Sequence, residues 1–584
     1  MAIDINKLSW LVGGEAGYGI MTAGQKFARA MILGGLNVFT HVEYPSLIRG
    51  GHNSFGVRVE ERELTCPILL YNLVAALNKD TIIRHKNFVT AGGGIIYDAN
   101  EVNIDECSIR YDIRLYNVPL MEILKSIKGA IKIMRNSVLL GASIAVLDYD
   151  FDYLAEAIRG VNSKKKKGSK IAELNVRAAK KGYDYVKKNY LSDFEVKLKK
   201  KTRKKRMLLT GNQAIGLGAI KAGCKFLSAY PMTPASSIMN YYAKKELDSE
   251  VVMKQADDEI SAINMALGAS YAGVRSMTST SGGGLALMSE TISLLGMTEV
   301  PLVIVNVQRP GPSTGLPTRQ GQGDLKFVLN IGHGEFPRIV IAPGDVEECF
   351  YETFNAFNFA EKYQLPVFIV SDKHLAVSYK SIPKFNTSHL KIDRGLLLSD
   401  EEAANLKDYK RFMITENGVS PRAIPGQKCM FRSSSDEHNE YGEICEKGDN
   451  KILQEDKRFR KLKTAEKEIP LPKLYGPKKA DLTIISWGST KGAILEAMDY
   501  LESDGIKANF LHFVYVFPFH SEYVREFLKN SKNVVDVEEN KSAQLAGIIS
   551  EFTGFKIEKK VLKYNGRTFY PSEIYDELKG VYNG

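Results

Sequence analysis

Short apolar runs alternate with amphipathic stretches along most of the chain, and this alternation predicts strands followed by helices. The opening indicates a buried strand and a glycine-rich turn in SWLVGGEAGYGI, then a helix in MTAGQKFARAMILGGL, and then a second strand in NVFTHVEY. Further strand-like runs and helical stretches follow to about residue 190. We therefore predict one α/β domain over residues 1–190.

A second alternating series follows the basic run VKLKKKTRKKR, whose like charges favour an exposed linker. This series begins at MLLTGNQAIGLGAIKAGCKF, and its strand-like runs lie near residues 251–254, 275–280, 301–307 and 366–371. Strands that alternate with amphipathic helices in this way are typical of a doubly wound parallel sheet.

The C-terminal part of the chain changes character twice. Residues 390–475 are polar and irregular, so we expect a connecting arm with short elements. The stretch from DLTIISWGS to NVVDVEEN then has a strand-helix-strand pattern, which predicts a smaller α/β domain. The predicted segments are a domain at 1–190, a basic linker at 191–206, a domain at 207–389, the arm at 390–475 and a domain at 476–584.

Composition supports a folded protein of several domains. The chain has 584 residues, which is more than one hydrophobic core usually holds, and its 44% hydrophobic and 25% charged residues exclude global disorder. No apolar run approaches the roughly 20 residues of a membrane helix, and the start MAIDINKLSWLVGG does not resemble a secretion signal. We expect a cytoplasmic protein with no membrane partner.

The net charge of +11 is concentrated in one segment, because residues 164–206 contain 18 Lys and Arg against four acids. A solvated helix face with a linker explains this segment, and a docking patch for an acidic electron carrier is the second interpretation. The segment lacks a recognisable nucleic-acid-binding motif, so we expect no nucleic-acid partner. A nucleic-acid-binding role remains as an alternative that deletion of the segment and the salt dependence of binding would test.

The cysteines indicate reduced thiols rather than a metal centre. There is no C-x-x-C pair, so neither a zinc knuckle nor a ferredoxin-type cluster motif is present. We expect mostly buried, reduced side chains in a reducing compartment, and any iron-sulfur cluster must come from another chain. The six are Cys66, Cys107, Cys224, Cys349, Cys429 and Cys445.

The first motif that carries chemistry is AYPMTPAS, which stands where a strand ends and a helix begins. Pro231 and Pro234 each fix a backbone angle and make a stiff loop that holds Thr233 at the carboxyl edge of the sheet, where ligands bind in open α/β sheets. The alternative is a helix N-terminus capped by Thr233 or Ser236.

The second motif runs from Lys254 to Glu290 and contains three consecutive acids at a helix start, Asp257, Asp258 and Glu259. The helix dipole favours negative charge there, but capping does not require all three acids, so one can face a pocket. Glu259 adjoins the apolar face of the helix. Later in the motif, TSTSGGG places hydroxyls and free backbone N–H groups at another helix start, which suits an anion or an interface.

The third motif is VQRPGPSTGLPTRQGQGDL, which follows the strand-like run PLVIVNV. Its three prolines and four glycines predict a shaped loop at the same edge of the sheet. The loop carries Arg309, Ser313, Thr314 and Arg319, and an arginine fork beside a hydroxyl suits a carboxylate ligand. A solvated loop arginine is the alternative for either arginine taken singly.

Together these motifs resemble the signature of the alpha subunits of 2-oxoacid:ferredoxin oxidoreductases. Nearly the whole chain shares in the resemblance: GGEAGYGIMTAG and YPSLIRGGHNSFGVRV are similar to the gamma domain of the family, and VDVEENKSAQLAGII and GRTFYPSEI to its last domain. The resemblance implies a multidomain α/β protein. Its expected parts are a gamma-type domain, a pyrimidine-binding domain of the thiamine-diphosphate fold with a doubly wound parallel sheet, and a smaller domain like the C-terminal domain of transketolase.

The resemblance also implies an activity, the coenzyme A-dependent oxidative decarboxylation of a 2-oxo acid to an acyl-CoA and carbon dioxide with reduction of ferredoxin. Glu259 matches the glutamate that hydrogen-bonds the aminopyrimidine ring of thiamine diphosphate and helps to remove the proton from its thiazolium ring. Thr233 and Arg319 match positions that hold the substrate. Further expected contacts are Tyr230, Pro231, Ser281 and Gly282 for the cofactor, and Arg309, Ser313 and Thr314 for the substrate.

A partner subunit is implied as well. The magnesium motif of thiamine diphosphate enzymes, Gly-Asp-Gly with a distant Asn, is not found, and Gly448-Asp449-Asn450 is the nearest fragment. We therefore expect no metal site in this chain and place Mg²⁺, the diphosphate and an iron-sulfur cluster in a beta subunit. The expected assembly is a hetero-oligomer, αβ or α₂β₂, that acts on a 2-oxo acid, coenzyme A and ferredoxin.

The glycine-rich loop near the N-terminus only loosely resembles G-x-G-x-x-G and lacks a ribose-binding acid in the expected place, so we expect no nicotinamide site. The family resemblance instead suggests subunit assembly and contact with coenzyme A. Gly17, Gly19, Arg49 and Gly50 are the expected parts of that surface.

The choice of 2-oxo acid stays open at this stage. The YPMTP form and the fused gamma-alpha layout favour 2-oxoglutarate by resemblance, ahead of pyruvate, branched-chain or broad 2-oxo acid specificity, with indolepyruvate last. A non-catalytic scaffold of the same fold is the other alternative. Glu259, Thr233 and Arg319 are all present, which favours an enzyme.

Overall fold

The computed structural model describes residues 4–46, 50–160, 166–202 and 205–583. The chain divides into two compact units, and each is built from two stretches of sequence. The first unit is Met1–Leu209 with Ser378–Phe385, and the second is Thr210–Val377 with Asn386–Gly584. The bounds of the five predicted segments stay predictions beside this division.

In the described part of the chain, the first unit contains a mixed sheet of eight strands. Leu8–Glu15 lies inside it, antiparallel to one neighbour and parallel to the other. Across the sheet the strands are Arg114–Asn117, Val89–Tyr97, Tyr71–Ala76, Leu8–Glu15, His52–Glu60, Asn37–Glu43, Tyr379–Ile382 and Met207–Thr210. A separate short parallel pair is formed by Asp4–Ile5 and Val196–Lys197.

The structure corrects the sheet to which the sequence pattern assigns the strand Met207–Thr210. The pattern predicts that it opens the second, doubly wound series, whereas the structure places it at the edge of the first sheet beside Tyr379–Ile382. The local pattern predicts a strand at this position correctly. It does not specify the partner, because hydrogen bonds between strands join residues that are far apart in sequence.

The helices of the first unit pack through apolar sides onto the sheet and onto one another. Trp10 in the strand Leu8–Glu15 stacks on Phe27 of the following helix, with 4.0 Å between ring centroids. That helix begins directly after Gly19 and ends directly before Gly34. The helices are Ile20–Leu33, Lys79–His85, Leu120–Lys125, Arg135–Val146, Phe151–Gly160 and Lys166–Asn189, with short 3₁₀ turns at Lys86–Phe88, Asp105–Cys107 and Lys132–Met134.

The basic segment contributes the helix Lys166–Asn189, whose acids are engaged in ion pairs. Glu173 pairs with Arg159 at 2.7 Å, and Asp184 pairs with Lys180 one turn away on the same helix. These side chains are about half exposed. The contacts support a solvated helix face, and the docking patch stays a prediction.

The second unit contains the predicted doubly wound sheet. Among the described residues it has seven strands, and the pairings are parallel except at one edge, where Tyr515–Phe517 runs antiparallel to Ile339–Ile341. In order the strands are Val252–Gln255, Phe226–Ala229, Ser276–Thr280, Leu302–Gln308, Pro366–Asp372, Ile339–Ile341 and Tyr515–Phe517. The helices of this part are Gly211–Lys221, Ser236–Ala243, Glu246–Ser249, Glu259–Tyr271, Gly282–Leu287, Ser289–Thr298, Leu325–Asn330, Val346–Tyr363 and Lys373–Val377.

A smaller sheet completes the second unit, as the third alternating series predicts. It contains five strands within residues 205–583, in the order Lys473–Tyr475, Ala508–Phe513, Leu482–Trp487, Val534–Glu538 and Lys559–Leu562. One hydrophobic core joins it to the larger sheet, since Ile304 and Phe368 of the larger sheet share a buried cluster with Trp487 and Leu511. Its helices are Lys491–Ser503, Ser521–Lys529, Gln544–Thr553 and Pro571–Asn583, with a 3₁₀ turn at Gly488–Thr490. The multidomain α/β fold class is thereby confirmed.

The connecting arm contains more regular structure than its sequence predicts. Besides the short helix Asp400–Asn405, it forms the 19-residue helix Gly448–Glu466. The side chains that this helix buries are mostly polar, so no apolar stripe marks it in the sequence. The buried side chains are Gln454, Lys457, Arg458, Lys461 and Ala465.

One buried glutamate holds this helix in place. Glu299 is 1% exposed, and its carboxylate pairs with Lys457 at 2.6 Å and also with Lys461. Burial alone raises the pKa of Glu299, but Lys457, Lys461 and Arg411 together hold it below its ordinary value. The helix is therefore attached by charge pairing in place of apolar packing.

No helix in the described stretches of the chain combines the length and the apolar character needed to cross a membrane.

Replacing Glu299 by Gln should detach the helix Gly448–Glu466, because two buried ammonium groups lose their carboxylate. We expect the local free energy of opening to fall by about 3–5 kcal/mol. Hydrogen exchange of the helix amides measures this free energy. The control is Asp184→Asn in an exposed ion pair, where we expect a change within about 0.5 kcal/mol. Equal effects of the two substitutions would contradict the role of Glu299.

Candidate functional site

The three motifs lie at one edge of the larger sheet. The YPMTP loop follows the strand Phe226–Ala229, and the parallel strands beside it and next in the sheet lead to Glu259, Ser281 and Arg309. Carboxyl ends of neighbouring parallel strands face the same way, so these loops lie side by side. This edge is where open α/β sheets bind ligands.

Glu259 is the first residue of the helix Glu259–Tyr271, but it does not cap that helix. Asp258 does so, since its side chain accepts a hydrogen bond of 2.6 Å from the backbone N–H of Ser261. Glu259 is 4% exposed, and its Oε1 has no hydrogen-bond partner among the described residues. A buried carboxylate oxygen without a donor is costly, so this position suits a ligand that donates an N–H.

A glycine makes room for this carboxylate. A Cβ atom at Gly284 would stand 2.6 Å from Glu259 Oε1 and would also collide with the Thr280 hydroxyl. Ser281, which precedes the helix Gly282–Leu287, is fully buried, and its hydroxyl also has no partner in the described part of the chain. This edge therefore contains two buried oxygens whose hydrogen-bonding capacity is not used by the described residues.

Arg309 connects two of the loops by a hydrogen bond. Its Nη1 donates a hydrogen bond of 2.7 Å to the backbone carbonyl of Thr233, and its side chain is largely buried. Burial lowers the pKa of the Arg309 guanidinium, while the negative charges of Asp324 and Glu259 oppose this shift. Arg309 thus fixes Thr233 and places a positive charge in the neighbourhood of Glu259.

Asp324 belongs to the same site, although the sequence interpretation does not include it. Its Oδ2 accepts a hydrogen bond of 3.1 Å from the Asn306 side chain, and its backbone N–H donates to Gln308 Oε1 at 2.9 Å. A Cβ atom at Gly282 would stand 2.8 Å from this carboxylate. Burial raises the pKa of Asp324, and Asn306 and Arg309 oppose that shift. The polar Asn306 and Gln308 within the run LVIVNVQ are the signal in the sequence that points to it.

The other predicted residues differ in exposure. Arg319 is half-buried, and its backbone N–H donates to the carbonyl of Leu316 at 3.0 Å. Ser313 and Thr314 are exposed on the same loop, and Tyr230 and Pro231 are exposed where the YPMTP loop begins. The site residues therefore form a buried group around Glu259 and an exposed rim.

The predicted coenzyme A surface lies in the first unit. Gly17, Gly19 and Gly50 all have positive φ, at 93°, 75° and 75°, which favours glycine. A Cβ atom at Gly19 would collide with Asn136. Arg49 lies outside the described residues. The backbone thus explains these glycines, and their contact with coenzyme A stays a prediction.

Comparisons with known proteins place the chain in a family. Three family models match it: pyruvate ferredoxin/flavodoxin oxidoreductase over residues 9–185, the thiamine diphosphate-binding part of pyruvate flavodoxin/ferredoxin oxidoreductase over 217–456, and pyruvate:ferredoxin oxidoreductase core domain II over 480–574. The 2-oxoacid:ferredoxin oxidoreductase subunit alpha of Saccharolobus solfataricus is 33% identical, and the match covers 98% of each chain.

Two further matches name a substrate. The 2-oxoglutarate synthase subunit KorA of Methanothermobacter thermautotrophicus is 31% identical over 63% of this chain and 97% of its own length. The solved structure of 2-oxoglutarate:ferredoxin oxidoreductase from Magnetococcus marinus, with 2-oxoglutarate, coenzyme A and succinyl-CoA bound, is 33% identical. Its TM-score is 0.91, and the match covers 99% of this chain and 100% of that one.

These matches define an oxidoreductase of the 2-oxo acid class. The chain belongs to the 2-oxoacid:ferredoxin oxidoreductase family, as an alpha-type subunit. The family resemblance and the enzyme class predicted from the sequence are both confirmed.

Gly284→Ala should displace Glu259, because the added methyl group occupies space beside the carboxylate and beside Thr280. We expect turnover of 2-oxo acid to fall at least about tenfold, with a stability loss of about 1–3 kcal/mol. The control is Gly283→Ala, whose Cβ meets no atom within 4 Å. Steady-state rates measure turnover, and thermal unfolding measures stability, in both variants. Equal turnover in the two variants would show that the position of Glu259 does not require a glycine at residue 284.

Proposed function

We propose that this chain forms the alpha subunit of an enzyme that converts a 2-oxo acid, with 2-oxoglutarate favoured, and coenzyme A to an acyl-CoA and carbon dioxide while reducing ferredoxin. The observation that carries the proposal is the buried, unpartnered Oε1 of Glu259 at the sheet edge. Arg309 and Thr233 stand beside it on neighbouring loops.

Thiamine diphosphate fits the residues at this edge. When bound, it would supply a nucleophilic thiazolium carbon for reaction with a 2-oxo acid. Glu259 would hold the aminopyrimidine ring, because its Oε1 would accept a hydrogen bond from an N–H of that ring and would so control where a proton resides on it. Gly284 leaves the space that Glu259 needs, and the Ser281 hydroxyl offers a second polar contact.

The substrate loop, residues 309–324, supplies the groups for the 2-oxo acid. Arg319 binds a substrate carboxylate and the Thr233 hydroxyl assists it, while Arg309 holds Thr233 through the backbone carbonyl. Ser313 and Thr314 add polar contacts at the rim.

A dicarboxylic acid needs more cationic groups than pyruvate does, and two arginines on one loop support 2-oxoglutarate. The similarity to KorA and to the Magnetococcus enzyme supports the same choice. Pyruvate, branched-chain or broad specificity is the second candidate.

An exposed apolar surface beside Glu259 supports a partner subunit. Ile260 and Met265 on the helix Glu259–Tyr271, and Leu287 on the neighbouring helix, are all more than a third exposed. Gly268 on the first of these helices has open space where a side chain would stand. We assign this surface to a beta subunit that carries the diphosphate, Mg²⁺ and an iron-sulfur cluster, and we assign coenzyme A contact to Gly17, Gly19 and Gly50.

The function is tested by anaerobic viologen reduction with coenzyme A and a panel of 2-oxo acids. The chain alone should be inactive, and the chain mixed with its cognate beta subunit should be active. The acid with the highest kcat/KM identifies the substrate. A stable complex that contains thiamine diphosphate and iron but acts on no 2-oxo acid would contradict the proposal and favour a scaffold.

Glu259→Gln should remove most turnover and leave folding nearly intact, because the amide keeps the shape of the side chain but loses its charge. We expect a loss of kcat of at least about a hundredfold. The assay is steady-state viologen reduction by the complete complex at saturating 2-oxo acid and coenzyme A, with thermal unfolding as the check on folding. Near-normal kcat would disprove the role of Glu259.

Arg319→Ala should raise the KM for the 2-oxo acid, since a substrate carboxylate loses its cation. We expect an effect of about 2 to 4 kcal/mol on kcat/KM. The KM for coenzyme A serves as the internal control and should stay close to its wild-type value. An unchanged KM for the 2-oxo acid would assign the carboxylate to Arg309 instead.

A further inference from the structure

The substrate loop continues past Arg319 into the protein interior. Gln320 is 4% exposed and Gln322 is fully buried, so both amide side chains need partners inside the fold. The partners come from the C-terminal sheet region and from the end of the strand Pro366–Asp372. The placement of Arg319 therefore depends on residues remote from it in sequence.

Gln320 is bonded at both ends of its amide. Its Oε1 accepts a hydrogen bond of 2.7 Å from the backbone N–H of His374, and its Nε2 donates to Glu539 Oε2. Its own backbone N–H donates to the carbonyl of Gly566 at 3.2 Å. These bonds fix the amide orientation of Gln320, because a flip would set donor against donor at His374 and acceptor against acceptor at Glu539.

Gln322 strengthens the same attachment. Its backbone N–H donates to the backbone carbonyl of Glu539 at 2.9 Å, and its side chain donates to Asp372 Oδ2 at 3.1 Å. The Asn540 side chain donates to the backbone carbonyl of Gln322 at 3.2 Å. The end of the substrate loop is thus paired with the segment that contains Glu539.

Glu539 is the residue on which these bonds converge. It is 2% exposed, and its Oε1 accepts a hydrogen bond of 2.8 Å from the backbone N–H of Phe569 while Oε2 accepts from Gln320. Burial and the charge of Asp372 raise the pKa of Glu539 to about 7, and the donors oppose this shift. Because both oxygens face N–H donors, an amide in place of the carboxylate meets a donor whichever way it turns.

We propose that Glu539 is a positioning residue for the substrate loop: through Gln320 it fixes the backbone next to Arg319, and so the place where Arg319 meets the substrate carboxylate. Gly566 contributes to the same placement, since a side chain there would stand 3.3 Å from Arg319 Cβ. The inference deepens the proposed function and rests on it for the role of Arg319.

The first test compares Glu539→Gln with Glu573→Gln in the complete complex. Glu573 lies in the same small domain and also accepts from a backbone N–H, that of Tyr570, and from Lys563. Glu539→Gln should raise the KM for the 2-oxo acid about tenfold and leave the KM for coenzyme A unchanged. Glu573→Gln should change neither. A KM for the 2-oxo acid within twofold of wild type in Glu539→Gln would overturn the proposal.

A double-mutant cycle separates positioning from a general loss of structure. In the Arg319→Ala background, Glu539→Gln should have little further effect on the KM for the 2-oxo acid, because the side chain that it positions is absent. The same tenfold rise in both backgrounds would overturn the proposal. If Glu539→Gln does not fold, Glu539→Asp takes its place, since it keeps the charge but shortens the reach to Gln320.

Hydrogen exchange gives a reading that does not depend on activity. Amides of residues 316–324 should exchange faster in Glu539→Gln than in wild type and in Glu573→Gln, and unchanged exchange would overturn the proposal. If the wild-type complex converts no 2-oxo acid, the proposed function fails, whereas the exchange comparison still tests whether Glu539 anchors the loop.

Discussion

Glu259 Oε1 is a buried carboxylate oxygen that accepts no hydrogen bond from the described residues, and its neighbours at the sheet edge of the second unit are arranged around it. Asp258 caps the helix, so the charge of Glu259 is not used at the helix end. Gly284 has no side chain, so the carboxylate can lie against the following helix. Leaving such an oxygen unpaired costs stability, and a ligand that donates an N–H recovers that cost on binding.

The groups that support this oxygen come from several layers of the unit. Arg309 links the third loop to the YPMTP loop by a hydrogen bond, and the Asp324 carboxylate at the end of the third loop lies against Gly282. The small C-terminal sheet contributes Glu539, and its core is continuous with that of the larger sheet. The geometry of the site therefore depends on both sheets of the second unit and not on the parallel sheet alone, because residues of each fix a loop of the site.

Sequence reasoning succeeded where the signal is local and failed where it is not. The alternation of strands and helices and the motifs around Glu259, Thr233 and Arg309 are visible as patterns of neighbouring residues. The helix Gly448–Glu466 is not visible as such a pattern. Its buried face carries Lys457 and Lys461, so the sequence pattern predicts a solvent-exposed segment there. The contacts of Gly284 and Glu539 depend on approaches between distant segments, which no spacing in the sequence encodes. For Asp324 the sequence offers only the polar Asn306 and Gln308 within a buried strand. The predicted site roles await the substitutions that test them.

The strand Tyr379–Ile382 makes the first unit discontinuous in sequence. During synthesis on a ribosome, the sheet of that unit stays without this strand until residue 382 has emerged, by which time six strands of the larger sheet have also been made. Because each unit is built from two stretches of sequence, no single cut in the chain separates two complete units. A gene split within the basic linker, residues 191–206, would separate the first product from two strands of its sheet, Met207–Thr210 and Tyr379–Ile382. The sheet would then be complete only if the second product supplied both strands in trans.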